Sequence, residues 1–353
     1  MDNSTISGDR TPIHPSVYII SVSFIILVSF TGIVGNGLTI LSVFLSTKLR
    51  TNFNVFVVNL AFGDLLLCLC IPVQVVTLLS PREPPMPDII IQLLGLFGNK
   101  VVLSNTIFTL AVIAFMRCVK ITKPFGIFDD LFTSPRIAVI VASSWALSSM
   151  INTIIFLLGG FHIRYDSDAR LFRPSAIAVN AKIAVVAWYI TDGVCAVLSI
   201  LIIFISYIKI IIYIRANTRR IAALVDVPPA ALRNQPPIAL EARNQEQAAR
   251  QERPNQMADN RFRAREIKVT KNLALVTAVF LVSFLPLPFI PNRSNPYLLI
   301  FGFCLNRSNS AMNLLIYAVK HEDFRKVYRC ILSGSFKEIP LPSRQLRAML
   351  PDQ

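Results

Sequence analysis

The residues able to do chemistry in this 353-residue chain are few, and most of them interrupt long apolar runs. Asn36 breaks GIVGNGLTI, Asp64 breaks NLAFGDLLL, and Asn309 and Asn313 break NRSNSAMNLLIY. An ionisable or amide side chain inside a membrane helix is costly and faces protein rather than lipid. Each amide alone would serve as glue between helices. Asp64 is harder to dismiss, because an unpaired buried carboxylate costs several kcal/mol or takes up a proton. Arg307 stands in the same run as Asn309, and its guanidinium is always charged, which makes it a functional candidate by default. The six cysteines include no Cys-x-x-Cys pair, so zinc and redox motifs are absent.

The elements that must position these residues are apolar runs of membrane-crossing length, about 20 residues each. Seven are present, at roughly Val17–Phe44, Phe53–Leu79, Asp88–Val119, Ile137–Gly159, Ile183–Ile214, Val269–Ile290 and Tyr297–Val319. The third is interrupted by Asn99 and Lys100, and the fifth and sixth are long enough for their inner ends to project past the bilayer. The composition agrees: 54% of residues are hydrophobic and 16% charged, against about 25% charge in soluble domains. The net charge of +15 raises nucleic acid as a partner, but the basic residues sit between apolar runs, as on a cytoplasmic membrane face. No nucleic-acid partner is expected; membrane lipid is.

Lys and Arg cluster in the first loop, the third-to-fourth connection and the segment after the seventh run. This places the N-terminus outside and the C-terminus inside. Arg164, Arg170 and Arg173 weaken the asymmetry. Residues 1–16 form a polar extracellular segment without a signal-peptide core. Asn3 and Asn292 head glycosylation sequons that would then lie outside. Residues 17–330 form the membrane domain. Within it, about 216–264 is an Ala-, Arg-, Gln- and Pro-rich stretch that cannot bury enough apolar surface to fold alone, and reads as a disordered cytoplasmic loop whose ends extend the fifth and sixth helices. HEDFRKVYRC alternates basic and apolar residues at helical spacing and predicts a short amphipathic eighth helix on the inner membrane surface. Cys330, at its end, is either a palmitoylation site or an ordinary thiol. Residues 331–353 complete a cytoplasmic tail. The fold class is an all-α membrane protein, a seven-transmembrane helix bundle with a short amphipathic eighth helix.

In this arrangement the chain resembles the rhodopsin-like G-protein-coupled receptors. The resemblance is carried by Gly35-Asn36, Asn59-Leu60-Ala61 with Asp64, Met116-Arg117-Cys118, Trp145, Tyr207, Phe280-x-x-Ser283-Phe284-Leu285-Pro286 and Asn313-Leu314-x-x-Tyr317, all in family order. Helices two and three add a weak similarity to melatonin-like receptors. The resemblance implies a plasma-membrane, multi-pass receptor and no enzyme. Such a receptor takes an extracellular small-molecule or peptide ligand and activates a heterotrimeric G protein by outward movement of the sixth helix. Arg117 would pair at rest with Glu266, unless both are merely solvated at the membrane surface. Asp64, Thr106, Asn309, Ser310 and Asn313 correspond to a hydrated sodium pocket, or to a hydrogen-bond network without an ion; no other cofactor is implied. Pro286 would kink the sixth helix, with Phe280, Phe284 and Ile107 beside the pivot, and Tyr207 and Tyr317 complete the switch. Phe125, after Pro124, would dock into the G protein or pack back under the bundle.

The departures are informative. Met116 replaces the family's acid, which would raise basal activity; Leu314 replaces the helix-seven proline, Phe284 the helix-six tryptophan, and Ser199 the helix-five proline. Gln92 stands where the family has the disulfide cysteine at the top of helix three, so the following outer loop is expected to be unpinned, held by packing or by Asp166 or Asp168 with Arg residues. Asn99 replaces the Asp of amine receptors, and Arg307 the Lys of opsins, so neither ligand class fits. The pocket that remains has Asn99, Lys100, Asp192 and Arg307. Arg307 assisted by Lys100 would recognise an anionic group such as a carboxylate; the alternative is an internal pair of Arg307 with Asp192 or backbone. Two other functions stay open: a constitutively active or non-signalling seven-helix protein, and a transporter or pump. The latter would need a chain of ionisable groups, and those present are few and scattered.

Overall fold

The computed structural model describes residues 13–84, 86–95, 100–123, 126–158, 161–176, 181–225, 267, 270–271, 274–275, 277–283 and 295–349. Side chains are described throughout these except at 158, 161–162, 173–192, 217–225, 313–317 and 319–320. The helices are α1 (Pro15–Leu45), α2 (Asn52–Leu79), α3 (Asp88–Gly95), α4 (Val102–Thr122), α5 (Ile127–Leu131), α6 (Ser134–Leu158), α7 (Ala181–Val225), α8 (Pro296–Lys320), α9 (Glu322–Leu332) and α10 (Arg344–Met349). The described residues between 267 and 283 are also helical. The third apolar run is described as two pieces, α3 and α4, on either side of residues 96–99. The fifth continues as α7 to Val225, extending the helix into the start of the stretch at about 216–264.

Among the described residues, five helices are long and apolar enough to cross a membrane, and each buries only part of its surface in the bundle. Ile19, Ile20, Leu27, Phe30, Ile202, Phe204 and Ile212 remain exposed, as side chains facing lipid would. Chain ends are set locally. Pro15 opens α1 after His14, whose ring accepts from the Ser16 N–H, and the Thr51 hydroxyl accepts from Asn54 N–H to cap α2.

A feature absent from the sequence reading is an antiparallel hairpin between α6 and α7, β1 (Phe161–Asp166) with β2 (Leu171–Ala176). The Asp166 carboxylate accepts from the N–H groups of Asp168 and Ala169, closing the turn. Ala169 and Leu171 are buried with Ile13, Tyr18, Leu78, Leu299 and Ile300, so the hairpin plugs one end of the bundle.

At the opposite end the tail folds back. Thr47 N–H and hydroxyl donate to Leu341 C=O at 2.8 and 2.9 Å, and Ser343 N–H donates to Leu45 C=O at 2.7 Å. Ile339 and Leu346 enter a cluster with Leu45, Leu49, Val57, Phe324, Val327 and Tyr328. The amphipathic pattern of α9 is explained by this: Phe324, Val327 and Tyr328 face the bundle, and Lys48 pairs with Asp323 at 2.8 Å.

Candidate functional site

Three polar groupings lie along the bundle. The first is central. Asp64 is 2% exposed, and Ser310 Oγ donates to its Oδ1 at 3.2 Å. Asn36 Nδ2 donates to Gly32 O and Ser310 O, both at 2.9 Å, tying α1 to α8. Of the proposed cation ligands, Thr106 and Asn309 are also buried, and the Thr106 hydroxyl donates to Val102 O. Asn313 lies in α8; its side chain is outside the described set. One carboxylate among hydroxyl and amide oxygens suits a hard cation in its donor types.

A second polar network beside it was largely missed from sequence. Trp145 Nε1 donates to Asn59 Oδ1 at 2.7 Å, and Asn59 Nδ2 donates to Thr109 Oγ at 2.9 Å. Ser144 Oγ donates to Asn105 Oδ1 at 2.6 Å, and Asn152 Nδ2 to Ser104 Oγ at 3.2 Å. These bonds join α2, α4 and α6. The available signal was the run of polar residues on one side of α4, Asn105 and Thr109 being four apart.

The hairpin end holds the ligand-pocket candidates. Arg307 is 3% exposed, and its guanidinium carbon lies 5.0 Å from the Phe303 ring centroid. Lys100 is half-buried. Asn99 and the Asp192 side chain lie outside the described residues. The hairpin loop, expected to be held without a disulfide by packing or charge pairs, is held by packing and also by hydrogen bonds that the sequence did not suggest. Gln92 Nε2 donates to Ile163 O at 3.1 Å and its Oε1 accepts from Ile163 N–H at 2.8 Å. Ile163 pairs with Pro174 across the hairpin. Because Ile163 turns both backbone groups outward to Gln92, this is a position where the ladder needs no N–H, and proline is tolerated. Tyr165 hydroxyl donates to Ser80 O, Tyr18 hydroxyl to Asp168 O at 2.9 Å, and the Arg170 guanidinium sits 4.0 Å from the Tyr18 ring centroid. Burial pushes the Tyr165 phenol above its ordinary value, which keeps it a donor. All six cysteines are free.

The third grouping closes the other end. Arg117, near the end of α4, is 5% exposed and follows a fully buried Met116. Its guanidinium carbon lies 3.6 Å from the centroid of Phe53, in the first turn of α2. Phe53 stacks on Phe128 of α5 with centroids 5.0 Å apart and planes at 14°. Lys120 Nζ lies 4.4 Å over the Phe128 ring. Tyr207 hydroxyl is 3.5 Å from Thr277 Oγ, and Phe280 is buried in one cluster with Ile107, Leu110 and Ile203. Tyr317 lies in α8 with its side chain outside the described set; Phe125, Glu266, Phe284 and Pro286 lie outside the described residues, as do Asn3 and Asn292. Cys330 is half-buried beside the tail cluster.

Comparison with known proteins adds four findings. The family model described as 7 transmembrane receptor (rhodopsin family) matches residues 35–317. Probable G-protein coupled receptor No18 of Amphibalanus amphitrite is 26% identical over 348 residues, covering 88% of this chain and 89% of that one. G-protein coupled receptor 84 of Bos taurus is 34% identical over 139 residues, 36% of this chain and 32% of that one. The crystal structure of squid rhodopsin superposes with a TM-score of 0.70 at 18% identity, over 99% of this chain and 95% of that one, a likeness of fold.

Proposed function

The chain belongs to the rhodopsin family of seven-transmembrane receptors, and from that premise we propose which of its side chains carry recognition and signalling. It is a G-protein-coupled receptor, a multi-pass membrane protein that binds a ligand and activates heterotrimeric G proteins. In our reading the hairpin end faces outside and the Arg117 end faces the cytoplasm, following the Lys and Arg distribution.

The ligand carries an anionic group, such as a carboxylate, taken by Arg307 with Lys100 assisting and Asn99 and Asp192 lining the site. The observation that carries this is the almost complete burial of the Arg307 guanidinium in a bundle helix, where a permanent charge is retained only for a partner or a function. Signal then passes along the bundle to Phe280, Phe284 and the Pro286 kink, past Tyr207 and Tyr317. The inner half of the sixth apolar run, Val269–Ile290, moves outward, releasing Arg117 from Glu266 toward the G protein, and Phe125 docks there. A sodium ion bound at Asp64, Thr106, Asn309, Ser310 and Asn313 would stabilise the resting form. Met116 cannot pair with Arg117, so the resting place of Arg117 depends on its contacts with other helices.

The test is a panel of small monocarboxylates and their neutral amides on cells expressing the receptor, reading G-protein activation. Carboxylates should activate and amides should not. Arg307→Ala should reduce potency roughly 10- to 100-fold, the worth of a buried charged hydrogen bond. Unchanged potency for an active carboxylate would sink the anion assignment.

A further inference from the structure

The contact of Arg117 with an aromatic ring has no part in the switch described above. Met116 offers Arg117 no charge, yet the guanidinium is placed with its carbon 3.6 Å from the Phe53 centroid, in a setting where Arg117 is 5% exposed. The negative face of an aromatic ring attracts a cation, and the attraction grows when water is excluded. Phe53 is not loosely held. Thr51 caps its helix, Asn54 Nδ2 donates to Leu49 O at 2.7 Å, and Asn52 Nδ2 donates to Phe132 O at 2.7 Å. On the side of the connecting loop, Phe128 stacks on Phe53, Phe132 lies 5.1 Å from Phe128, and Phe115 meets Phe132 edge-on. Gly126, at φ +94°, supplies the left-handed turn that starts α5 and so sets where Phe128 falls.

We propose that Phe53, backed by Phe128, is a positioning residue that helps to hold Arg117 in its resting place, an aromatic latch acting beside the Glu266 pairing. This rests on the receptor reading. Arg117 must leave the ring to meet a G protein, so the resting state alone is stabilised by the contact, and only such a difference shifts an equilibrium. The latch also joins the α4–α6 connection to the switch. A partner that draws α5 away unstacks Phe128 from Phe53 and weakens the hold on Arg117.

The experiment uses membranes from cells expressing the full chain, with added heterotrimeric G protein and no ligand. Nucleotide exchange is measured per surface receptor. Phe53→Leu should raise basal exchange roughly 3- to 30-fold, the range of a desolvated cation–ring contact. Phe53→Trp, which keeps an aromatic face, should restore the wild-type level, and Phe128→Leu should give a smaller rise than Phe53→Leu. Adding Arg117→Ala to Phe53→Leu should return exchange to that of receptor-free membranes, showing that the gain passes through Arg117. Two results overturn the latch alone: exchange present in the wild type and unchanged in both leucine variants, or an equal rise in Phe53→Trp, which would make Phe53 a packing residue. Exchange at the receptor-free level in every variant also overturns the latch, since loosening Arg117 then has no effect, whereas the receptor reading is tested separately by ligand-driven exchange of the wild type.

Discussion

Replacing Gln92 by leucine removes the clip between α3 and the hairpin while keeping the side chain's size. Two hydrogen bonds are lost, at 2.8 and 3.1 Å, and both belonged to the backbone of Ile163. A typical intramolecular hydrogen bond contributes about 0.5–1.5 kcal/mol net, so the pair is worth about 1–3 kcal/mol. Each 1.4 kcal/mol is about tenfold, which makes local opening of the hairpin about 5- to 140-fold more frequent. Gln92→Glu should fall between wild type and Gln92→Leu. A carboxylate still accepts from Ile163 N–H but sets its second oxygen against Ile163 O. The assay is amide hydrogen exchange of peptides spanning 161–176 in purified receptor, with peptides from α4 as the internal control. Since every cysteine is free, reductant should leave the wild-type hairpin unchanged. Equal hairpin exchange in wild type and Gln92→Leu, or faster wild-type exchange on adding reductant, would refute the reasoning.

Two further outcomes follow from the polar contacts. Asn59→Leu strands Trp145 Nε1 and removes the bond to Thr109; in a membrane bundle such bonds average about 0.6 kcal/mol and reach about 1.7. The variant should unfold at lower denaturant, and adding Trp145→Phe should cost almost nothing more, a non-additivity that a double-mutant cycle reads directly. The buried Tyr328 hydroxyl is 2.7 Å from Thr39 Oγ, and burial pushes its phenol up to about 12 from an ordinary 10.0. A raised folded value means that this contribution to docking α9 is complete below about pH 10 and is lost between pH 10 and about 12. A spin-label distance between α9 and α1 should therefore hold through neutral pH and lengthen in that alkaline window, whereas Tyr328→Phe should show no such transition.

Much of the architecture is written locally. Membrane spans are legible because a run of apolar residues must satisfy its own backbone in lipid, which leaves the helix as the economical solution. The residues that break those runs were legible for the same reason. Asn36, Asp64 and Ser310 are brought together, and Arg307 is buried. The amphipathic period of α9 likewise announced its buried face. The hairpin was less visible. Its pattern, FHIRYD and LFRPSA, is short, and Pro174 argues against a strand unless its partner's groups point away, as those of Ile163 do.

What the sequence by itself determined is the set of spans, the order of the motifs and the loss of the acid at Met116 and of a cysteine at Gln92. Only the tertiary structure decided what fills those losses. Gln92 and Ile163 are 71 positions apart, and the tail residue Leu341 stands 294 positions from Thr47, which donates to it. Arg117 and Phe53 lie on different helices, and their meeting depends on how far each is rotated about its axis. Periodicity reports which face of a helix is buried, but not which residue of another helix it meets. Those pairings are fixed by packing the whole bundle at once, so the missing disulfide and the missing acid read as deficits until the hydrogen bonds of Gln92 and the ring of Phe53 take their places.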